Sequence, residues 1–253
     1  MSLGAHLVEL RKRLFFAAIG IIIGMVIGFL ISEIVIDAMS APIKVIADER
    51  GQALLNFTNV TSAFDLRMKI ALTTGVVISS PVWLYQIWAF LVPGLTRKEI
   101  KYAVAFFASA VPLFLLGCYA GWTVLPHIVE LMVSFTPAAA SNFFDAATYY
   151  DFVLKLVLAV GIAFVLPVFL VLLNFVGVIS AASIIKSWRV AILLIVLFTA
   201  IATPAADVVS MFLLAIPMVI LYFAAYGVSY LHDRRKAKDV RRLEAELASG
   251  GTV

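Results

Sequence analysis

Six long apolar runs alternate with short polar gaps along the chain: Leu14 to Ile36, Ile70 to Val92, Tyr102 to Leu125, Leu156 to Ile179, Trp188 to Thr203 and Val208 to Leu231. Five hold roughly 23 or 24 residues, enough at about 1.5 Å per residue to cross a hydrocarbon core about 30 Å thick. The fifth, roughly 16 residues or about 24 Å, falls short, which predicts a thinned bilayer or wet, protein-lined ends there. In lipid every backbone N–H and C=O must find its partner within the membrane, so the runs predict helices. Strand-type alternation is absent, which removes an outer-membrane barrel. Pro81, Pro112, Pro167 and Pro217 each fall in a different run, and each removes a helical hydrogen bond and favours a bend. The expected fold is an all-α membrane protein of six kinked transmembrane helices with one hollow face. Residues 1–231 form the membrane domain with an amphipathic N-terminal segment, and residues 232–253 form a basic tail.

Composition changes the picture in one respect: it rules out a soluble alternative. The 253 residues are 64% hydrophobic and 13% charged, with a mean hydropathy of +1.08, more apolar surface than a soluble domain of this size can bury. Charge then orients the spans. One set of gaps holds Arg11, Lys12 and Arg13, then Arg97, Lys98 and Lys101, then Lys186 and Arg189, then Arg234, Arg235, Lys236, Lys238, Arg241 and Arg242, together 14 of the 19 basic residues. Lys44, Arg50, Arg67, Lys69 and Lys155 lie on the other side. The positive-inside rule places both termini in the cytoplasm of an inner (plasma) membrane protein. The pI near 9.2 reflects that topology and anionic headgroups, and does not point to nucleic acid. The first run is too long for a signal-peptide core and lacks a small-residue cleavage site, so it reads as a retained helix. Cys118 is the sole cysteine, which excludes an internal disulfide.

Chemistry-bearing residues are scarce. Asp65, Arg67 and Lys69 open the second span, Lys155 the fourth and Asp207 the sixth, all at the outer interface, where snorkelling and capping account for them. A small-molecule transporter or channel is the main alternative, but it normally needs a midplane ionisable site or an internal repeat, and neither is seen. An intramembrane enzyme is disfavoured because His6, His127 and His232 fall at or beyond the span ends and no paired aspartates occur. Zinc-ligand spacing is absent.

The cytoplasmic edge is richer. Leu3, Leu7, Leu10 and Leu14 share one helical face, with Glu9, Lys12 and Arg13 elsewhere, so an interfacial helix feeds the first span. Pro93-Gly94 ends the second span, and Thr96-x-x-Glu99 has capping-box spacing that starts the third. Two readings of Glu9 and Glu99 stay open. Glu9 can pair locally with Arg13 at i,i+4 while Glu99 caps its helix. Alternatively, the two carboxylates form a surface site that holds guanidinium groups bidentately, better than lysine.

At these residues the chain resembles the TatC family, the multi-spanning subunit of the twin-arginine protein translocase. The resemblance covers roughly residues 5–231. It rests on His6-Leu7-x-Glu9-Leu10-Arg11-x-Arg13, Ser40-Ala41-Pro42, Ser80-Pro81-x-x-x-Tyr85-Gln86-x-Trp88-Ala89-Phe90, Pro93-x-Leu95 with Glu99, Phe164-x-x-Pro167 and Thr203-Pro204-x-x-Asp207-x-x-Ser210, in that order. It implies a glove-like bundle that exports folded proteins using the proton-motive force without a cofactor. It further implies that Glu9 and Glu99 bind the paired arginines of a signal peptide, supported by Arg11, Arg13 and Phe90. Pro42, Pro204 and Asp207 would belong to outer structure that positions the fifth and sixth helices, where single-span TatA and TatB dock, and copies of the chain would associate within the complex. Where many relatives carry a glutamate or glutamine facing the hollow, this chain has Val165.

Overall fold

The computed structural model describes residues 3–50, 53–57, 61–91, 97–134, 142–203 and 207–250. The described residues are almost entirely helical. The first two helices are α1 (Leu3–Leu30) and α2 (Ser32–Arg50). After strand β1 (Ala53–Asn56) come α3 (Ser62–Ile78), α4 (Ser80–Leu91) and α5 (Arg97–Ser134). Strand β2 (Asn142–Asp145) leads into α6 (Ala146–Phe175), followed by α7 (Ala181–Lys186), α8 (Trp188–Ala202) and α9 (Val208–Gly250). Four helices, α1, α5, α6 and α9, are long and apolar enough to cross a membrane, α3 with α4 makes a fifth as a bent pair, and α8 is a shorter apolar helix. At 15 residues α8 is about 22 Å long, so the fifth element is short as its sequence run implies.

Helices overrun the apolar runs because a helix satisfies its own backbone in water as well as in lipid. The interfacial N-terminal segment and the first span are one continuous helix, α1. That helix stops at Leu30, six residues before the expected end, and the chain turns into α2. Glu33, Asp37 and Lys44 make α2 too polar to span; it buries Met39 and Ile43 against Leu66, Ile70, Leu125 and Val153 instead. Pro42 sits inside α2, where it offers no N–H to the preceding turn. The Met39 carbonyl in that turn accepts from the buried Tyr149 hydroxyl at 2.9 Å. At the same end, β1 and β2 pair in parallel, Ala53 with Asn142 through Asn56 with Asp145, a short sheet that the all-helical expectation lacked. Four-residue strands are too short to leave a period in the sequence.

The prolines act unequally. Pro112, Pro167 and Pro217 lie within helices that continue through them, whereas α3 and α4 meet at 59° across Ser79, two residues before Pro81. The Trp83 indole N–H donates to the Val76 carbonyl at 2.8 Å, supplying a partner where the ladder is interrupted. At the end of α6, Gly177 adopts φ +85°, and the Val178 N–H reaches the Leu173 carbonyl while the Gly177 N–H reaches Asn174. This is a Schellman closure, and it ends the helix at Phe175, four residues before the apolar run does.

Helix α5 packs along α6 and α1 along α3, in both cases through glycine. A Cβ on Gly24 would lie 2.5 Å from the Gly75 carbonyl oxygen, and one on Gly28 would lie 2.6 Å from that of Ala71. Between α5 and α6, a Cβ on Gly117 would lie 2.8 Å from the Val160 carbonyl oxygen. Small residues that let backbones touch are the usual membrane substitute for hydrophobic packing.

Helix α9 continues past residue 231 without a break. Its Asp233 returns to the α6–α7 turn, accepting from the Ala181 backbone N–H at 2.8 Å and from the Asn174 side-chain amide at 3.0 Å. Since Asn174 is buried, Asp233→Ala is expected to leave two donors short of a partner and cost about 1–3 kcal/mol. Faster hydrogen exchange at residues 181–186 with an unchanged α1 would show it, and unaltered exchange there would refute the clamp.

Candidate functional site

The basic-flanked ends of α1 and α4 meet through side chains that follow helical spacing. On α1, His6, Glu9 and Arg13 are three and four residues apart and share a face; on α4, Gln86 and Phe90 are four apart. The two faces run antiparallel. His6 stacks on Phe90 with ring centroids 4.5 Å apart, and Arg13, two turns further along α1, donates through Nη1 to Gln86 Oε1, one turn back along α4, at 3.4 Å. Arg13 Nη2 bonds Glu9 Oε1 at 3.0 Å, so Arg13 is a bridge from α1 to α4 that also orients the carboxylate.

Glu9 and Arg13 are about a quarter exposed, 25% and 28%. They border a cavity of about 420 Å³ with Val8, Lys12, Phe16 and Gln86. The local i,i+4 pair is therefore real. It occupies one carboxylate oxygen, and an ionised carboxylate has about four lone-pair sites, so accepting capacity remains toward the cavity. An ion pair this exposed contributes little to stability, about 0–1 kcal/mol.

The remaining sequence-predicted residues scatter. Arg11 is exposed and does not line the cavity. Glu99 is the third residue of α5, the position that capping-box spacing demands, but its side chain, like Thr96 as a whole, lies outside the described residues. Pro42 belongs to α2, remote from this edge, and is half-buried. Pro204 lies outside the described residues. Asp207 is 2% exposed and begins α9: its Oδ1 accepts from the Ser210 N–H at 2.8 Å, an N-cap. Its Oδ2 has no partner among the described residues. Val165 packs in the buried cluster of Leu84, Trp88, Phe114 and Val168, so an apolar side chain suits its surroundings. His127 lies inside α5, because that helix runs on to Ser134.

The Sec-independent protein translocase protein (TatC) family profile matches residues 5–217. The chain belongs to the TatC family. It is 44% identical over 236 residues to the translocase protein TatC of Xylanimonas cellulosilytica, covering 93% of this chain and 86% of that one. It is 39% identical to TatC of Rothia mucilaginosa over 245 residues, covering 96% and 84%. A solved structure described as the twin-arginine translocase receptor TatC in DDM superposes with a TM-score of 0.76 at 32% identity, covering 88% of this chain and 99% of that chain. With its apolar helices, this TatC-family chain is a multi-pass membrane protein and a translocase component, a class whose work is transport.

Two further residues build this edge without a role that the sequence alone reveals: Gln86, the second acceptor of Arg13, and His6, the ring partner of Phe90. Helical spacing from Glu9 and Phe90 was the available signal. The Gly24-x-x-x-Gly28 pair was likewise a legible pointer to the α1–α3 contact, and Gly20, one turn earlier, to the contact with Val82 of α4.

Proposed function

We propose that this chain is the receptor subunit of the twin-arginine translocase, binding the paired arginines of signal peptides at the edge where α1 meets α4. The observation that carries the reading is the cavity of about 420 Å³ bordered by Glu9, a part-buried carboxylate held by Arg13, which Gln86 in turn accepts from. Glu99 supplies the second carboxylate from the first turn of α5. Family membership supports the assignment, as does the description of the matching solved structures as twin-arginine translocase receptors.

The charge pattern supports a chain with both termini in the cytoplasm of the inner membrane, so that the pocket faces arriving substrates through an anionic interface. A guanidinium docks by a planar fork on a carboxylate, whereas an ammonium of equal charge lacks the fork. Val8 and Phe16 form the cavity's apolar wall, Phe90 stacks on His6 outside its lining and supports the α1–α4 edge, and Arg11 contributes only to the surface field. At the opposite end Asp207 caps α9, and the family resemblance extends a part in the outer structure to Pro42, in α2, and to Pro204, which lies outside the described residues. There exposed Leu193, Leu197 and Ile201 offer an apolar ridge to single-span partners of the TatA and TatB kind.

Co-purification of the chain with a twin-arginine signal peptide, set against its twin-lysine version, tests the reading. Retention of the first at least about tenfold above the second is the expected result, from one lost charge-assisted bond of about 1.5–3 kcal/mol. Equal retention of both would remove the fork-based recognition.

A further inference from the structure

A second cavity, of about 590 Å³, lies between α6, α7, α8 and α9 and serves no part of the site above. Its walls are apolar along most of their length, with Ala163, Leu170 and Leu173 from α6, Ala191 and Leu194 from α8, and Met218 from α9. At one end stand Ser183 and Ser187, the latter between α7 and α8. Immediately beside them in the chain are Lys186 and Arg189, both exposed and neither in an ion pair among the described residues. The Arg189 guanidinium lies 5.6 Å from the centroid of the half-exposed Trp188 ring, a pairing typical of a membrane interface.

We propose that this cavity is a binding site for one anionic glycerophospholipid, its acyl chain between α6 and α8 and its phosphate against Lys186, Arg189 and the two serines. Length selects that occupant. The α6 wall from Ala163 to Leu173 is about 15 Å long, half of a hydrocarbon core about 30 Å thick, and so the depth of a single leaflet. A transmembrane helix about 10 Å across would need a groove through both leaflets. Charge selects the headgroup, because the two hydroxyls in the lining and the two exposed cations that flank Ser187 in the chain, outside the lining itself, match a phosphate. The volume lies within the roughly 300–1,000 Å³ of small-ligand sites. Helix α8 is too short to reach both interfaces, and a lipid held beside it would fix how the bilayer meets that short span. The Asp233 carboxylate nearby is committed to Ala181 and Asn174, and so does not repel the headgroup at full strength.

The test is native mass spectrometry of the full chain released from nanodiscs of mixed phosphatidylglycerol and phosphatidylcholine. One phosphatidylglycerol retained per chain is expected, favoured over phosphatidylcholine by about tenfold or more. Lys186→Gln with Arg189→Gln, both on exposed positions, should erase that preference while the chain stays folded. Ala191→Trp, which fills the cavity, should abolish retention of both lipids. The proposal is overturned if no lipid survives release, or if the glutamine pair keeps the preference. It is equally overturned if Ala191→Trp holds lipid as before while losing a co-expressed single-span partner, since the cavity would then seat a helix.

Discussion

Gly24→Leu is expected to be the most damaging single substitution in α1, destabilising the α1–α3 pair by more than about 3 kcal/mol. The reason is that no side chain stands between the two helices at this point. A Cβ on Gly24 would sit 2.5 Å from the Gly75 carbonyl oxygen and 3.1 Å from its Cα, and backbone atoms cannot rotate away as the end of a leucine could. The reciprocal contact is as close, because a Cβ on Gly75 would lie 2.6 Å from the Met25 nitrogen. Relief therefore requires the whole of α1 to move outward, which opens the packing at Gly28 as well. Gly227→Leu is the control, since nothing lies within 4 Å of a Cβ there and the position is likewise helical. Thermal unfolding in detergent, followed by size-exclusion fluorescence, should show Gly24→Leu losing the monodisperse peak at a much lower temperature than Gly227→Leu. Equal melting of the two variants would refute the backbone contact.

That substitution also reaches the candidate site. Helix α1 is continuous from Leu3 to Leu30, so a shift at Gly24 is carried to Arg13 about three turns away and to Glu9 about four turns away. The Arg13–Gln86 and His6–Phe90 contacts join α1 to α4 and would be the first to part. The glycine seam and the carboxylate pocket are in this sense one device: the first sets the distance that the second needs.

How far this was legible in the sequence depends on which solvent did the selecting. Lipid forces apolar side chains and internally bonded backbone, so each long run marked a helix. The ends were less legible, because water tolerates a helix too: α3 begins at Ser62, before the apolar run opens at Ile70, and α5 runs on to Ser134. Local spacing carried the Glu9–Arg13 pair, since i,i+4 neighbours on a helix meet whatever the tertiary fold. The bridge from Arg13 to Gln86 spans 73 positions and left no such mark. Asp233 reads in sequence as one charge in a basic tail, and only the return of α9 to the α6–α7 turn makes it a cap. Gly177 could have been read as a helix stop, but it lies inside an unbroken apolar stretch, and hydropathy outvoted it.

The second large effect expected is on recognition. Glu9→Ala and Glu99→Ala should each weaken crosslinking of a twin-arginine signal peptide by about 10- to 150-fold, the range equivalent to about 1.5–3 kcal/mol per charge-assisted bond. A purely local role predicts something different. An exposed i,i+4 pair contributes about 0.2–0.5 kcal/mol to its helix, so losing Glu9 would then barely alter stability and leave peptide binding untouched. Stability of the two variants should indeed stay near that of the parent chain, which separates a lost ligand contact from misfolding. The double variant adds a geometric reading. If each carboxylate grips its own arginine, the two losses add within about 0.5 kcal/mol; if both converge on one guanidinium, the double variant loses clearly less than the sum. Glu9→Gln keeps the hydrogen-bond acceptor toward Arg13 but removes the charge, and it should bind peptide nearly as poorly as Glu9→Ala. Crosslinking unchanged in both single variants would leave Glu9 as Arg13's helical partner and nothing more.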